Sequence, residues 1–135
     1  MKEQFYSRTE LLIGKDGIER LNKSRVAVIG IGGVGSFAAE ALARAGVGTL
    51  VLVDHDIICP SNLNRQILAL RSTLALPKVE VMKNRILDIN HGAKVISIRE
   101  FYSAETAAKI LVDDYDYIVD AIDSIKSKVN LIINC

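Results

Sequence analysis

The segment spanning residues 25–56 constrains the fold of this chain more than any other part of the sequence. A β-branched apolar run ends at Ile29, and a glycine-rich turn, GIGGVG, follows it directly. A helical pattern comes next, and a second apolar run, LVLV, then stops at Asp54. This order predicts a strand, a turn, a helix and a strand that ends in a carboxylate, which together form a nucleotide-binding βαβ unit.

The glycines of this turn have different predicted roles. Gly30 permits a tight turn after the strand, and Gly32 and Gly33 let phosphate oxygens approach the backbone because they carry no Cβ. Gly35 lets the helix lie close to the sheet. The free N–H groups at the start of this helix and the helix dipole favour a phosphate. Asp54 is expected to accept hydrogen bonds from ribose hydroxyls. The alternative is a purely structural turn, and the motif alone does not distinguish ATP from a dinucleotide.

Strand-like and helix-like patterns alternate along the chain, which predicts a Rossmann-like, doubly wound α/β fold with a mainly parallel sheet flanked by helices. The predicted strands are Arg25–Ile29, Thr49–Asp54, Val95–Arg99 and Tyr117–Ala121. The predicted helices are Thr9–Leu21 (interrupted at Gly14 and Gly17), Gly33–Ala45, Lys78–Asn90, Ala104–Val112 and Ser124–Asn134, with a long connection over His55–Leu76. In such a fold the ligand binds at the carboxyl ends of the strands.

The length and composition favour one globular domain over residues 1–135, with residues 1–24 as an N-terminal helical arm. The last helical pattern still runs at Cys135, so we expect a truncated N-terminal part of a longer domain; the alternative is a natural, frayed end. No apolar run approaches the roughly 20 residues that span a bilayer. The two cysteines lack CxxC spacing, which favours a reducing cytoplasm over a disulfide framework.

Two cations on the chain bear on which nucleotide is bound. A triphosphate carries more charge than the pyrophosphate of a dinucleotide, and it is usually held by cations and a metal. Arg65 offers bidentate contacts to phosphate oxygens, and Lys78, at the start of its helix, would reach the α-phosphate. The alternative makes both residues ordinary surface cations.

The carboxylates near the strand ends allow two interpretations each. Asp123, after the fourth strand, would hold Mg²⁺ against the phosphates, but it is also a good helix N-cap, as is Ser124. Asp56 would bind a metal or orient its loop, or it is a simple turn residue. The chemistry alone leaves these alternatives open.

Five linked motifs, in this order and spacing, resemble the HesA/MoeB/ThiF family, the bacterial relatives of ubiquitin-activating enzymes. The motifs are Gly30-Ile31-Gly32-Gly33-Val34-Gly35-Ser36, Asp54-x-Asp56, Asn62-x-Asn64-Arg65-Gln66, Pro77-Lys78 and Asp120-x-x-Asp123. The resemblance implies adenylation of a carboxylate by attack at the α-phosphate of ATP, with ATP and Mg²⁺ as cofactors.

The resemblance also implies site residues and partners. Arg65, Lys78 and Asp123 would be catalytic, and Asp123 would be the Mg²⁺ ligand. The implied ATP-binding residues are Gly30, Gly32, Gly33, Gly35, Ser36, Asp54, Asp56, Asn62, Asn64, Arg65, Gln66, Lys78 and Arg8. Family members are commonly homodimers, and Arg8 would reach the ATP of the partner subunit.

Within the family, the sequence most resembles the branch that cyclises threonylcarbamoyladenosine in tRNA by dehydration. The similarity lies in GIGGVGSFAAEALARAGVG, NLNRQ and DAIDS. It implies a tRNA substrate, no membrane partner and possible contact with sulfur-transfer proteins. The main alternative is adenylation of the C-terminal glycine of a ubiquitin-like sulfur carrier. A further class comprises inactive nucleotide-binding modules and NAD-dependent dehydrogenases.

Overall fold

A computed structural model describes residues 2–112 and 114–135 and contains a four-stranded parallel sheet flanked by helices. The strands are β1 (Arg25–Ile29), β2 (Thr49–Val53), β3 (Lys94–Ile98) and β4 (Tyr117–Asp120). The helices are α1 (Lys2–Phe5), α2 (Ser7–Lys23), α3 (Gly35–Ala45), α4 (Lys78–Ile89), α5 (Ala107–Ile110) and α6 (Ile125–Asn134). Among these helices, none has the length and apolar character needed to cross a bilayer. The predicted Rossmann-like, parallel fold class is confirmed.

The strand order, β3-β2-β1-β4, places β1 and β2 at the centre of the sheet, where both faces are covered. In β1, Val28 packs in one apolar cluster with side chains of α3 and α4. Its neighbour Ile29 packs in a second cluster with Ile110 of α5 and Leu131 of α6. Successive strand residues face opposite sides, so the continuous apolar run of β1 contributes to two core layers.

One predicted helix is clearly wrong in its bounds. The Ala104–Val112 pattern forms a helix only over Ala107–Ile110, whereas the other predicted elements differ by one or two residues at most. The reason lies in Thr106, whose hydroxyl accepts a hydrogen bond from the backbone N–H of Ser103 at 2.9 Å. This local turn occupies the residues that would otherwise form the first helical turn.

The N-terminal arm has the interruption predicted at Gly14, whereas Gly17 lies within the helix. Gly14 has φ 71° and ψ 175°, a conformation outside the helical region, and it divides α2 into two segments. A Cβ at Gly14 would meet nothing within 4 Å, so the break depends on the backbone conformation and not on crowding.

A buried carboxylate joins the two helices that cover one face of the sheet. Glu40 of α3 accepts hydrogen bonds from Arg44 on the same helix, at 2.8 Å, and from Arg85 on α4. The hydrogen bond from Arg85, opposed in part by burial and assisted by Arg44, lowers the pKa of the Glu40 carboxyl. The ionised side chain therefore stabilises the folded protein.

We expect Glu40→Gln to lower the free energy of unfolding at pH 7 by about 1 kcal/mol, because it leaves Arg85 without a charged partner. A lowered pKa gives stability that is present above the pKa of the unfolded chain, about 4.3. That stability is lost as pH falls through the folded-state pKa. Urea unfolding at pH 7 and at about pH 3 measures the difference. An equal loss at both pH values would contradict the ionic role.

Candidate functional site

A cavity of about 480 Å³ lies at the carboxyl ends of the strands, where the parallel fold places a ligand. Its wall brings together ten of the residues predicted from sequence: Gly30, Gly32, Gly33, Asp54, Asp56, Asn62, Arg65, Gln66, Lys78 and Asp123. Four predicted residues lie outside the wall: Arg8, Gly35, Ser36 and Asn64. The cavity is therefore the candidate site.

The glycine turn is held tightly between β1 and α3. Gly30 has φ 92°, which favours glycine, and its N–H donates to the carbonyl of Val53 at 2.8 Å. A Cβ on Gly35 would lie 1.7 Å from the carbonyl oxygen of Gly30. Gly35 thus allows α3 to pack directly against the turn. It does not line the cavity, so its role is in packing and not in ligand contact.

Ser36 also supports the turn from behind. Its side chain is fully buried, and its hydroxyl donates to the carbonyl of Gly32 at 2.5 Å. The same hydroxyl accepts a hydrogen bond from the N–H of Ile67 at 3.4 Å. Ser36 therefore fastens the long connection between β2 and α4 to the glycine turn.

Asp54 connects β2 to the turn. One carboxylate oxygen accepts the N–H of Ile31 at 2.7 Å, and the other accepts the N–H of Asp56 at 2.8 Å. An ionised carboxylate has about four acceptor sites, so both oxygens keep capacity for a ribose hydroxyl. These two hydrogen bonds fix the carboxylate in the orientation that such a ligand would meet.

The connection between β2 and α4 contributes polar groups to the opposite wall. The guanidinium of Arg65 donates to the carbonyl of Ser61 at 2.7 Å and to the side-chain oxygen of Asn64 at 3.1 Å. Asn64 thus orients Arg65 instead of lining the cavity itself. Asn62 is buried, and its side-chain oxygen accepts the N–H of Cys59 at 2.8 Å.

The glycine turn and Gln66 provide a test of whether the site fits a nucleotide. A Cβ on Gly33 would lie 3.5 Å from Cγ of Arg65, so the absence of side chains on the turn keeps open a space beside a cation. Gln66 is buried in the same wall, and its side-chain oxygen finds no hydrogen-bond donor among the described residues. Buried acceptors of this kind are rare and need an explanation, and a ligand that donates a hydrogen bond, such as a hydroxyl or amino group of a nucleotide, would supply one. The open turn beside Arg65 fits a nucleotide phosphate, whereas the Gln66 oxygen fits a donor group elsewhere on the nucleotide.

Lys78 differs from an ordinary surface cation. It is the first residue of α4, its side chain is only 6% exposed, and its ammonium donates to a carboxylate oxygen of Asp56 at 3.3 Å. Lysine is almost never buried to this extent unless it is paired. Arg65, by contrast, is exposed at the mouth of the cavity.

The structure separates the roles of the residues that follow β4. Ser124 caps α6, because its hydroxyl accepts the N–H of Ser127 at 3.4 Å. Asp120 pairs with Lys128 at 2.8 Å. The Asp123 side chain makes no hydrogen bond or ion pair with any described residue, and it faces the cavity. A cavity carboxylate without a partner among the described residues supplies the oxygen ligands that divalent cations prefer.

Sequence reasoning missed the aromatic part of the wall. His55, Phe101 and Tyr102 line the cavity, and the rings of His55 and Phe101 meet edge to face with centroids 5.0 Å apart. Burial raises the pKa of Tyr102, whose hydroxyl donates to the side chain of Asn130 at 3.2 Å. The signal was their position directly after β2 and β3, the strand ends where a ligand is expected.

Comparison with known proteins gives a consistent result. A model of the ThiF family matches residues 6–135. The tRNA threonylcarbamoyladenosine dehydratase of Bacillus subtilis is 52% identical over 130 residues, covering 96% of this chain and 51% of that protein. The molybdopterin-synthase adenylyltransferase of Escherichia coli is 37% identical over 133 residues, covering 96% of this chain and 53% of that protein.

A crystal structure of the Escherichia coli tRNA threonylcarbamoyladenosine dehydratase in complex with ATP superposes with a TM-score of 0.96 at 42% identity. The match covers 98% of this chain and 55% of the solved chain. The chain thus spans about half the length of the curated relatives it matches.

Proposed function

The chain belongs to the ThiF family, and from that premise we propose that it holds the ATP-binding part of an enzyme that adenylates a carboxylate on a tRNA nucleoside. The observation that carries the proposal is a single cavity that joins a glycine turn, two cations and an uncommitted carboxylate, Asp123. ATP chemistry uses this set of groups, because a triphosphate needs cations and a metal to be held and attacked.

In the proposed reaction, an oxygen of the substrate carboxylate attacks the α-phosphorus of ATP. The bond from that phosphorus to the bridging oxygen breaks, and pyrophosphate leaves with the electron pair. Lys78 and Arg65 would neutralise the charge that develops on the phosphates. Asp54 would hold the ribose, and the N–H groups at the start of α3 would receive a phosphate. A nucleophilic atom of the threonylcarbamoyl group then attacks the activated acyl carbon and loses its proton. The bond from that carbon to the oxygen of AMP breaks, AMP leaves with the oxygen, and the nucleoside has lost one water overall.

Sequence similarity supports threonylcarbamoyladenosine in tRNA as the substrate. Identity to the Bacillus subtilis dehydratase is 52%, against 37% to the Escherichia coli molybdopterin-synthase adenylyltransferase. A tRNA substrate would also place the protein in the cytoplasm. The second candidate is adenylation of the C-terminal glycine of a sulfur-carrier protein, and the adenylyltransferase match is what favours it.

We also propose a homodimer in which Arg8 of the partner subunit approaches the bound ATP. Leu11 and Leu12 of α2 are 83% and 87% exposed, so this helix offers an apolar surface beside Arg8. Arg8 does not line the cavity of its own subunit. Exposed apolar surface of this kind is typical of protein interfaces. Sedimentation of the protein with and without ATP would measure the association.

Asp123 is proposed as the residue that would hold Mg²⁺, which would neutralise charge on the phosphates of bound ATP. We expect Asp123→Asn to weaken the binding of Mn²⁺ in the presence of ATP by about 10- to 100-fold, because the amide lacks the carboxylate charge. Electron paramagnetic resonance of Mn²⁺ measures this directly. Asp88→Asn, an exposed change on α4 outside the cavity, is the matched control. Equal Mn²⁺ affinity in both variants would remove Asp123 from the metal site.

The substrate is tested by incubating the protein with ATP, Mg²⁺ and tRNA that carries threonylcarbamoyladenosine. After digestion, mass spectrometry follows the loss of one water from that nucleoside while AMP is measured in parallel. Water loss coupled to AMP supports the tRNA reading. AMP formation only with a carrier protein that ends in Gly-Gly would support the second candidate instead.

A further inference from the structure

The pair formed by Lys78 and Asp56 is unusual in its asymmetry. The lysine side chain is 6% exposed, whereas the aspartate side chain is 51% exposed. The cation is therefore the costly member of the pair, since an unpaired buried ammonium is strongly disfavoured. In the ATP-free protein, Asp56 is the carboxylate that balances the charge of Lys78.

The position of Asp56 is fixed from several sides. Its N–H donates to Asp54 at 2.8 Å, and its carbonyl oxygen accepts the N–H of Lys78 at 3.1 Å. Its second carboxylate oxygen lies 3.1 Å from Nε2 of His55. Each carboxylate oxygen thus has a close neighbour, and the backbone N–H and carbonyl of Asp56 are both hydrogen-bonded.

These contacts form a continuous chain across the cavity wall. The N–H of Ile31 in the glycine turn binds Asp54, Asp54 binds the N–H of Asp56, and Asp56 binds the ammonium of Lys78. The chain thus joins Asp54, which is expected to meet the ribose, to the Lys78 ammonium, which is expected to meet the phosphates. A rigid link between them fixes the distance at which the ammonium stands from the turn.

We propose that Asp56 is a positioning residue that holds the buried Lys78 ammonium in place for the phosphates and competes with them for its charge. The inference rests on the proposed function, since it concerns how the same site receives ATP. A residue that only contacted ATP would favour both binding and reaction, whereas Asp56 should affect the two in opposite directions. Asp56 costs binding energy in the ground state, and it contributes to the rate through the geometry of Lys78.

Loss of the Asp56 charge should therefore strengthen phosphate binding and slow the reaction. In Asp56→Asn no carboxylate of a described residue pairs with Lys78, so the polyphosphate becomes its counter-ion. ATP and inorganic tripolyphosphate should then each bind at least about threefold more tightly. The ammonium is then less well placed, so single-turnover AMP formation should slow by about tenfold or more. Calorimetry gives the affinities, and rapid quenching gives the rate. Asp56→Ser is a second variant for the same measurements if the asparagine form does not fold.

Tighter binding by Asp56→Asn could also come from the loss of direct repulsion between Asp56 and the phosphates. A double-mutant cycle distinguishes this explanation from competition for Lys78. In a Lys78→Met background, Asp56→Asn should leave the affinity for tripolyphosphate unchanged, because no ammonium remains to compete for. Asp88→Asn, outside the cavity, should change neither affinity nor rate. Undiminished tightening in the methionine background would overturn the proposal.

Two other outcomes would also be decisive. Weaker binding of tripolyphosphate by Asp56→Asn, or an unchanged rate, would show that Asp56 does not position Lys78. A parent protein that binds neither ATP nor tripolyphosphate would overturn the proposed function itself, and this inference with it. Binding by the parent protein with no effect of Asp56→Asn would overturn this inference alone.

Discussion

Replacement of Lys78 by alanine is expected to slow AMP formation by about 10²- to 10³-fold, the usual cost of removing a group that stabilises transition-state charge. The reason is the position of the ammonium, which is buried in the cavity wall at the start of α4. A buried charge interacts more strongly with the phosphates than an exposed one, because the effective dielectric constant around it is lower. The measurement is AMP formation with saturating ATP and tRNA substrate.

The control for this change lies on the same helix. Lys83→Ala removes a lysine from α4 that does not line the cavity, so it should leave the rate within about twofold of the parent protein. Thermal unfolding of both variants shows whether they are folded. A folded Lys78→Ala variant that forms AMP at the parental rate would remove Lys78 from the reaction.

The second large effect concerns stability. Gly35→Ala should lower the free energy of unfolding by about 3 kcal/mol or more, because backbone atoms cannot move aside as a flexible side chain does. The added Cβ would lie 1.7 Å from the carbonyl oxygen of Gly30 and 2.8 Å from its carbonyl carbon. The start of α3 would have to move away from the turn that follows β1. Denaturant unfolding gives the stability directly.

Gly33→Ala is the matched comparison within the same turn. Its Cβ would meet Arg65 at 3.5 Å, an ordinary contact, so the change should cost less than about 1 kcal/mol of stability. The methyl group would instead occupy the cavity wall and weaken ATP binding by about tenfold or more, equivalent to about 1.4 kcal/mol. Equal stability losses at the two glycines would contradict the separation of packing from binding.

The fold was largely predictable because its signals are local. β1 has the predicted bounds, Arg25–Ile29, and α3 ends where Gly46 adopts φ 95°, the left-handed conformation typical of a helix C-terminus. Apolar runs separated by helical patterns indicate a parallel sheet, and the parallel sheet in turn locates the ligand edge. The short α5 was not predictable to the same degree, because the Thr106 hydroxyl competes with the helix there.

The chemistry of individual side chains was only partly predictable. Sequence spacing could not show that Lys78 is buried or that Ser124, and not Asp123, caps α6. The burial of Lys78 depends on contacts with residues that are distant in sequence. The cap of α6 depends on which of two neighbouring residues accepts the hydrogen bond. The aromatic wall formed by His55 and Phe101 also depends on the pairing of β2 with β3. Roles assigned to these residues in ATP binding remain predictions.

The central claim is that a substrate carboxylate attacks the α-phosphate of ATP in this cavity. The most direct test uses tRNA in which the threonyl carboxylate of threonylcarbamoyladenosine carries oxygen-18, followed by mass spectrometry of the released nucleotide. Attack at the α-phosphorus transfers one carboxylate oxygen to phosphorus, so the AMP should contain one oxygen-18 atom. Unlabelled AMP, or ADP with oxygen-18 in inorganic phosphate, would contradict the account.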